Sequence, residues 1–107
     1  MSISTHVLDT SLGRPAAGIA ITLASIDGTE LATATTDADG RVGTLGPEVL
    51  DAGDYTLTFA TGDWFAQSGV RGFYPHVSIA FTVSDGSDHY HVPVLLNPYG
   101  YSTYRGS

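Results

Sequence analysis

The segment HVSIAFTVS, residues 76–84, alternates large apolar side chains with small or polar ones. The same alternation recurs in IAITLA at 19–24 and in YTLTF at 55–59. Successive side chains of a β-strand point to opposite faces, so each segment collects its large residues on one face. This period of two dominates the chain and predicts strands that are buried on one side.

Turn signals separate these segments at short intervals. Asp-Gly pairs stand at 27–28, 39–40 and 85–86, with Gly-Pro at 46–47 and Gly-Asp at 53–54. Short strands bounded this often are typical of an all-β sandwich. We predict strands at 3–9, 17–26, 29–36, 40–44, 54–60, 76–84, 89–96 and 99–104.

The segment TGDWFAQSG, residues 61–69, lacks the two-residue period. Thr61 is a suitable N-cap, Asp63 falls in the first turn, and Gly69 is a stop signal, so we predict one short helix here. No repeat, linker or low-complexity tract divides the 107 residues. We therefore expect one domain spanning residues 1–107.

Composition narrows the classes of function. The absence of cysteine excludes disulfides, thiol catalysis and cysteine-ligated metal. A net charge of −7 argues against nucleic acid and anionic membranes as partners. With no signal-peptide pattern and no long apolar segment, we expect a soluble cytoplasmic protein. Only 14% of residues are charged, which suggests that some uncharged surface faces another subunit.

The predicted strand 89–96 carries two histidines on one face. His89 and His91 share that face with Pro93 and Leu95, whereas the opposite face is apolar: Tyr90, Val92, Val94 and Leu96. An outward face that mixes imidazole with apolar groups fits a cleft or a subunit interface. Proline has no N–H to donate, so Pro93 predicts an edge position or a bulge. In the first predicted strand, His6 shares a face with Ser4 and Leu8.

Each histidine also has a structural explanation. A strand histidine is more often a surface residue or one bonded to a carbonyl, and we interpret His76 in this way. His89 stays open between a loop residue and a site residue, and periodicity alone does not favour a site at His6 or His91. Three histidines can hold zinc, but this strand has no carboxylate to orient the rings, so we expect no metal and no cofactor.

Arg41 and the end of the chain supply further candidates. Arg41 is either a solvated surface charge or a guanidinium fork for a planar, carbonyl-rich anion. The segment NPYGYSTYRGS, residues 97–107, contains three tyrosines. Aromatic side chains at this density favour burial, so we expect the segment to dock as a final strand that fixes Tyr104, Arg105 and Ser107.

Five segments carry a resemblance to a known family: THVLDT at 5–10, GRPA at 13–16, DGR at 39–41, HYHVP at 89–93 and YSTYRGS at 101–107. Together they resemble the 5-hydroxyisourate hydrolases, the transthyretin-like proteins of purine breakdown. The final YRGS is that family's signature and separates the hydrolases from true transthyretins. The resemblance runs from residue 3 to the last residue and departs at Asn97, where the family has serine.

The resemblance implies a transthyretin/prealbumin-like sandwich of two four-stranded sheets with one short helix. It also implies a homotetramer with active sites where dimers meet. The implied reaction is hydrolysis of 5-hydroxyisourate to 2-oxo-4-hydroxy-4-carboxy-5-ureidoimidazoline in urate degradation, without metal. The implied catalytic residues are His6, Arg41 and His91, and the implied substrate-binding residues are His6, Arg41, Tyr104, Arg105, Gly106 and Ser107.

This reaction needs a base for water, a positive group for the oxyanion and a proton for the departing nitrogen. Histidine, with a pKa near 6.5, can act as acid or base close to neutral pH. We hypothesise that His6 and His91 share the proton transfers, in an order that the sequence leaves open. Arg41 would stabilise the developing anion.

Two other functions compete with this hypothesis. Residues 13–60 also resemble prealbumin-like domains that serve as spacers, and the chain could be a small-ligand carrier similar to transthyretin. A spacer has no need of His6, His91 or the YRGS segment. Imidazole and guanidinium groups suit an apolar ligand poorly, because buried polar groups require partners.

Overall fold

A computed structural model describes residues 3–107. Its elements in chain order are β1 (Ile3–Asp9), β2 (Arg14–Pro15), β3 (Ala20–Ser25), β4 (Glu30–Thr35), β5 (Arg41–Leu45), β6 (Gly53–Phe59), α1 (Thr61–Gln67), β7 (Val77–Val83), β8 (Tyr90–Asn97) and β9 (Gly100–Thr103). The first sheet has the order β2-β1-β8-β9, with β5 also paired to β1, and the second has the order β4-β3-β6-β7. The predicted two-sheet sandwich with one short helix is confirmed.

The predicted strands correspond to β1 and to β3 through β9, with their ends moved by a few residues. The sequence pattern did not indicate β2, which makes the first sheet five-stranded. It forms because Gly13, at a φ of 68°, turns the chain back so that Pro15 pairs with Leu8 of β1. Two residues are too few to show any alternation.

The hydrophobic core lies between the sheets. The face of β8 that was predicted to be core is confirmed, since Tyr90 and Val92 are only 5% and 6% exposed and Val94 is fully buried. Leu57 and Phe59 of β6 are fully buried from the opposite sheet. Burying each such side chain contributes about 1.5–3 kcal/mol, so this face strongly favours one register.

The first sheet is centred on a parallel pair of strands. β1 and β8 pair in register from Ile3 opposite Tyr90 to Asp9 opposite Leu96. The hydroxyl of Thr5, a buried residue, donates to the carbonyl oxygen of Val92 at 2.6 Å and ties the two strands together. Because side chains alternate between faces, residues at matching positions of the pair share a face. The outward face is therefore defined by this pairing.

The helix α1 packs Phe65 into the core. Its predicted end at Gly69 is confirmed: Gly69 has a φ of 71°, and its amide and that of Val70 donate to carbonyls of the last turn. The predicted N-cap at Thr61 is wrong, because Ala60 occupies the cap position and Thr61 is a buried residue within the first turn. No helix in residues 3–107 is long and apolar enough to cross a membrane.

Pro93 lies in β8, between β1 and β9, so the predicted edge position is wrong. The irregularity takes another form. Pairing with β9 stops at Thr103, whose hydroxyl donates to the Pro93 carbonyl at 2.8 Å, and resumes at one bridge between His91 and Gly106. Proline has no N–H for the rung opposite Tyr104. The chain therefore leaves the sheet at residues 104–105.

The predicted docking of the final segment is confirmed, because β9 pairs antiparallel with β8. Its tyrosines are not buried within the described chain, which leaves them for contact with a neighbouring subunit. Tyr99, Tyr101 and Tyr104 are 68%, 41% and 59% exposed. Backbone pairing, rather than aromatic burial, holds this segment in place.

Candidate active site

The outward face of the first sheet borders an open cavity of about 260 Å³. Its lining comes from β1, β5, β8 with the residue before it, and the last residue: Ser4, Thr5, Arg41, Val42, Gly43, His89, His91 and Ser107. The structure thus brings together two residues that were predicted to be catalytic, Arg41 and His91, and one that was predicted to bind substrate, Ser107.

A tight turn places Arg41 at the cavity. The Asp37 carboxylate accepts the Arg41 amide at 2.9 Å, which sets the start of β5. Gly40 has a φ of 74°, and a Cβ there would lie 2.4 Å from the carbonyl oxygen of Val7. Only glycine fits this conformation and this close approach. The turn from Asp37 to Gly40 is therefore the local cause of the backbone position of Arg41.

His6 lies beside the cavity rather than in its lining. Its neighbours in register are Arg41 on β5 and Pro93 on β8, and its side chain is half-buried. The pairing of β1 with β5 therefore sets His6 next to Arg41 on the outward face. The structure gathers all three predicted catalytic residues in this region, with His6 at its margin.

Ser4 connects two histidines in the cavity wall. Its hydroxyl oxygen lies 2.8 Å from Nε2 of His89 and 2.8 Å from Nδ1 of His91. His89, which the sequence left open, is thus a cavity residue. The sequence pattern placed Ser4 on the same face as His6 but did not single it out. Only the parallel register of β1 and β8 brings Ser4 beside His91.

The YRGS segment meets the cavity at its final two residues. The Gly106 amide donates to the carbonyl oxygen of His91 at 2.8 Å. A Cβ at Gly106 would lie 2.5 Å from Cδ2 of His91, so the glycine lets the backbone lie directly against the imidazole. Ser107 follows in the lining. The segment thereby restricts the orientation of the His91 ring.

Tyr104 and Arg105 face elsewhere. Both line a second cavity, of about 280 Å³, between β7 and the β8–β9 pair. The Arg105 guanidinium carbon lies 4.5 Å from the centre of the Tyr90 ring, a cation–π contact that anchors the segment. The structure therefore does not bring Tyr104 and Arg105 into the cavity that holds His91.

The environment of His91 favours its neutral form. Burial lowers the pKa of this imidazole, and the positive charge of Arg41 lowers it further, followed by the neighbouring His89 and His6. Burial and the neighbouring positive charges disfavour protonation of the ring, whereas a hydrogen bond to the Ser4 backbone acts in the opposite direction. Within residues 3–107, no group of three histidine, aspartate or glutamate side chains is placed to hold a metal ion. The arrangement offers a neutral imidazole beside a permanent cation.

A family model described as HIUase/Transthyretin family matches residues 3–106, and the chain belongs to this family. The chain is 47% identical to 5-hydroxyisourate hydrolase 2 of Rhizobium meliloti (strain 1021), over 98% of this chain and 95% of that protein. The structure of Klebsiella pneumoniae 5-hydroxyisourate hydrolase superposes with a TM-score of 0.92 at 43% identity, covering 100% of both chains. Transthyretin from Sparus aurata superposes with a TM-score of 0.90 at 30% identity, covering 97% of this chain and 95% of that one.

We expect the substitution Arg41→Gln to raise the pKa of His91, because it removes the nearest permanent positive charge. An NMR titration of the His91 ring protons measures this directly. Arg71→Gln is the matched control, since Arg71 is an exposed arginine outside the cavity. Equal pKa values of His91 in the wild type and Arg41→Gln would contradict the electrostatic coupling.

Proposed function

We propose that this protein hydrolyses 5-hydroxyisourate, a planar and oxygen-rich purine derivative, in urate degradation. The observation that carries the proposal is the meeting of Arg41, His91 and Ser107 at one cavity, on a chain 40–47% identical to proteins named as 5-hydroxyisourate hydrolases or probable ones. The product is 2-oxo-4-hydroxy-4-carboxy-5-ureidoimidazoline, formed when water opens the six-membered ring at an acyl–nitrogen bond.

The proposed mechanism uses His6, Arg41 and His91 without metal. A neutral imidazole can accept a proton from water or donate a hydrogen bond, and burial and Arg41 both favour that neutral form of His91. The Arg41 guanidinium holds a substrate carbonyl and stabilises the negative charge that develops on its oxygen. His6, next to Arg41 in register, reaches the same substrate from the margin of the cavity.

The YRGS segment closes the proposed substrate site. Gly106 lies against His91, and Ser107 lines the cavity, so both are placed to contact the substrate. Arg105 anchors the segment on Tyr90. Tyr104 is 59% exposed on the same segment. We assign Tyr104 and Arg105 to substrate binding in the assembled protein, where the neighbouring subunit completes the site.

We propose a homotetramer with active sites where dimers meet. Several large apolar side chains are exposed within residues 3–107, among them Phe73 at 69% and Tyr99 at 68%. Leu95, 37% exposed, lies on the same face of the first sheet as His91. Such surface suits contact between subunits. We also propose that residues 1–107 form one domain, in line with the single core cluster, and that the protein is cytoplasmic.

The alternative of a transthyretin-like carrier draws on the structural likeness to Sparus aurata transthyretin. The cavity wall contains two imidazoles and a guanidinium, which an apolar ligand would leave without partners. A carrier would bind 5-hydroxyisourate or its analogues without accelerating their breakdown. A spacer module would do neither.

We expect the purified protein to accelerate the decay of 5-hydroxyisourate generated from urate by urate oxidase, as followed by absorbance. The acceleration should survive a chelator, because the proposed mechanism uses only side chains. Arg41→Gln should lower kcat by about 10²–10³-fold, the usual loss of an oxyanion stabiliser. Arg71→Gln is the control. A folded wild type without acceleration would overturn the hydrolase proposal in favour of a carrier or spacer.

Gly106→Ala should lower turnover strongly while the protein stays folded. The new Cβ would lie 2.5 Å from Cδ2 of His91, so the final residues or the ring must move. Gly100→Ala is the matched control in β9, because the nearest atom to its Cβ would be 3.7 Å away. Circular dichroism checks the fold. If both variants turn over substrate like the wild type, the segment does not position His91.

Sedimentation velocity at micromolar concentration should show a tetramer. A monomer that retains full turnover would contradict a site shared between subunits.

A further inference from the structure

The hydroxyl of Ser4 is placed between two imidazole rings. Its oxygen lies 2.8 Å from Nε2 of His89 and 2.8 Å from Nδ1 of His91, and the residue is only 7% exposed. A hydroxyl has one hydrogen to donate. Ser4 therefore donates to one neutral ring and accepts from the other. The direction of these two hydrogen bonds decides which nitrogen of His91 carries its proton.

The other ring nitrogen of His89 settles the direction. Among residues 3–107, Nδ1 of His89 is buried and has no hydrogen-bond partner. A buried N–H without an acceptor is a costly defect, and orphaned donors are rarer than under-satisfied acceptors. The neutral His89 ring is therefore more stable with its proton on Nε2, where Ser4 accepts it. The Ser4 hydrogen is then directed to Nδ1 of His91.

We propose that Ser4 is a positioning residue that holds neutral His91 as the Nε2–H tautomer, so that His91 donates a hydrogen bond to the substrate instead of acting as the base. This rests on the proposed hydrolase function. Among the described residues no hydrogen-bond partner is assigned to Nε2 of His91, and His91 lines the cavity, which leaves this nitrogen for the substrate. Since Arg41 and His91 line one cavity, the Nε2–H and the Arg41 guanidinium would both bind the carbonyl oxygen that becomes the oxyanion.

The proton transfers then belong to His6. Water attacks the acyl carbon, forming the new carbon–oxygen bond, while His6 takes one proton from the water. The carbon–nitrogen bond breaks, its electron pair stays on the nitrogen, and His6 returns the proton there. The His91 proton remains on Nε2 throughout. The net change is the addition of one water molecule, and no other reactant is needed.

The opposite direction of hydrogen bonding through Ser4 would make His91 the base, and the structure disfavours that direction. His91 could accept a proton at Nε2 only if its resting proton were on Nδ1. Ser4 would then accept from His91 and donate to Nε2 of His89, which would place the His89 proton on the buried Nδ1. That N–H would have no acceptor among residues 3–107. The buried, unpartnered Nδ1 of His89 thus determines, through Ser4, which tautomer His91 adopts.

The first test is the tautomer itself, measured on the free protein by long-range ¹H–¹⁵N correlation of the histidine rings above the pKa of His91. We expect the wild type to show the Nε2–H form of His91, and Ser4→Ala to show a mixture of both forms. Ser4→Thr, which keeps the hydroxyl, should restore the Nε2–H form. An Nδ1–H form in the wild type, or an unchanged form in Ser4→Ala, would overturn the proposal. This readout does not depend on turnover, so it is separate from the test of the hydrolase proposal.

The second test is turnover of 5-hydroxyisourate. Ser4→Ala should lower kcat about tenfold or more, by analogy with the loss of a partner that orients a metal-bound histidine, with a smaller change in KM. Ser4→Thr should recover most of the loss. Ser102→Ala is the matched control, because Ser102 lies on β9 of the same sheet and is exposed. Full kcat in folded Ser4→Ala would overturn the positioning role.

The roles of His6 and His91 are distinguished by replacing each with glutamine, which can donate a hydrogen bond but cannot act as a base. His91→Gln should retain more kcat than His6→Gln. The reverse order would assign the base to His91 and overturn the proposal. A wild type that shows the Nε2–H tautomer but no turnover would instead refute the hydrolase function on which the proposed role depends.

Discussion

The parallel pairing of β1 with β8 is the constraint on which the site depends. Strands far apart in the chain lie side by side, with Ser4 opposite His91 and His6 opposite Pro93. The inward residues of both strands are buried, and a slip by one residue would turn them outward. The burial that stabilises the sandwich therefore also sets which polar side chains meet on the outer face. Core packing and site geometry have one physical cause.

Two strands flank this pair and complete the cavity. β5 places Arg41 beside His6, and the chain beyond β9 returns to place Gly106 against His91. The gap in pairing opposite Pro93 lets residues 104–105 leave the sheet and rejoin at Gly106. A regular ladder through this region would hold the final residues differently. The proline is thus a structural residue whose effect reaches the cavity.

The site is locally cationic in a strongly acidic protein. The chain has a net charge of −7 and few arginines, yet Arg41 borders the cavity beside two histidines. The guanidinium and the burial of His91 both lower the pKa of that ring. A cavity of this kind combines one permanent positive charge with an imidazole, His91, whose neutral form is favoured. That combination suits a carbonyl-rich substrate in which negative charge develops during reaction.

The sequence by itself determined the local features of this protein. Its two-residue period located the strands and the apolar face of β8, and Asp-Gly-Arg marked the turn before Arg41, because these depend on neighbouring residues. Sequence similarity to a family directed attention to His6, Arg41, His91 and the YRGS segment. The predicted N-cap at Thr61 was wrong, since the cap position depends on local dihedral angles that the residue pattern does not show.

Only the tertiary structure decided the contacts that give these residues their chemistry. Ser4 is separated from His89 and His91 by 85 and 87 positions, and no local pattern relates them. Their contact follows from strand order and register, which arise from the packing of two whole sheets. The same is true of the buried nitrogen of His89 and of the approach of Gly106 to the His91 ring. The sequence shows which residue types are present, whereas long-range strand pairing determines which of them contact one another.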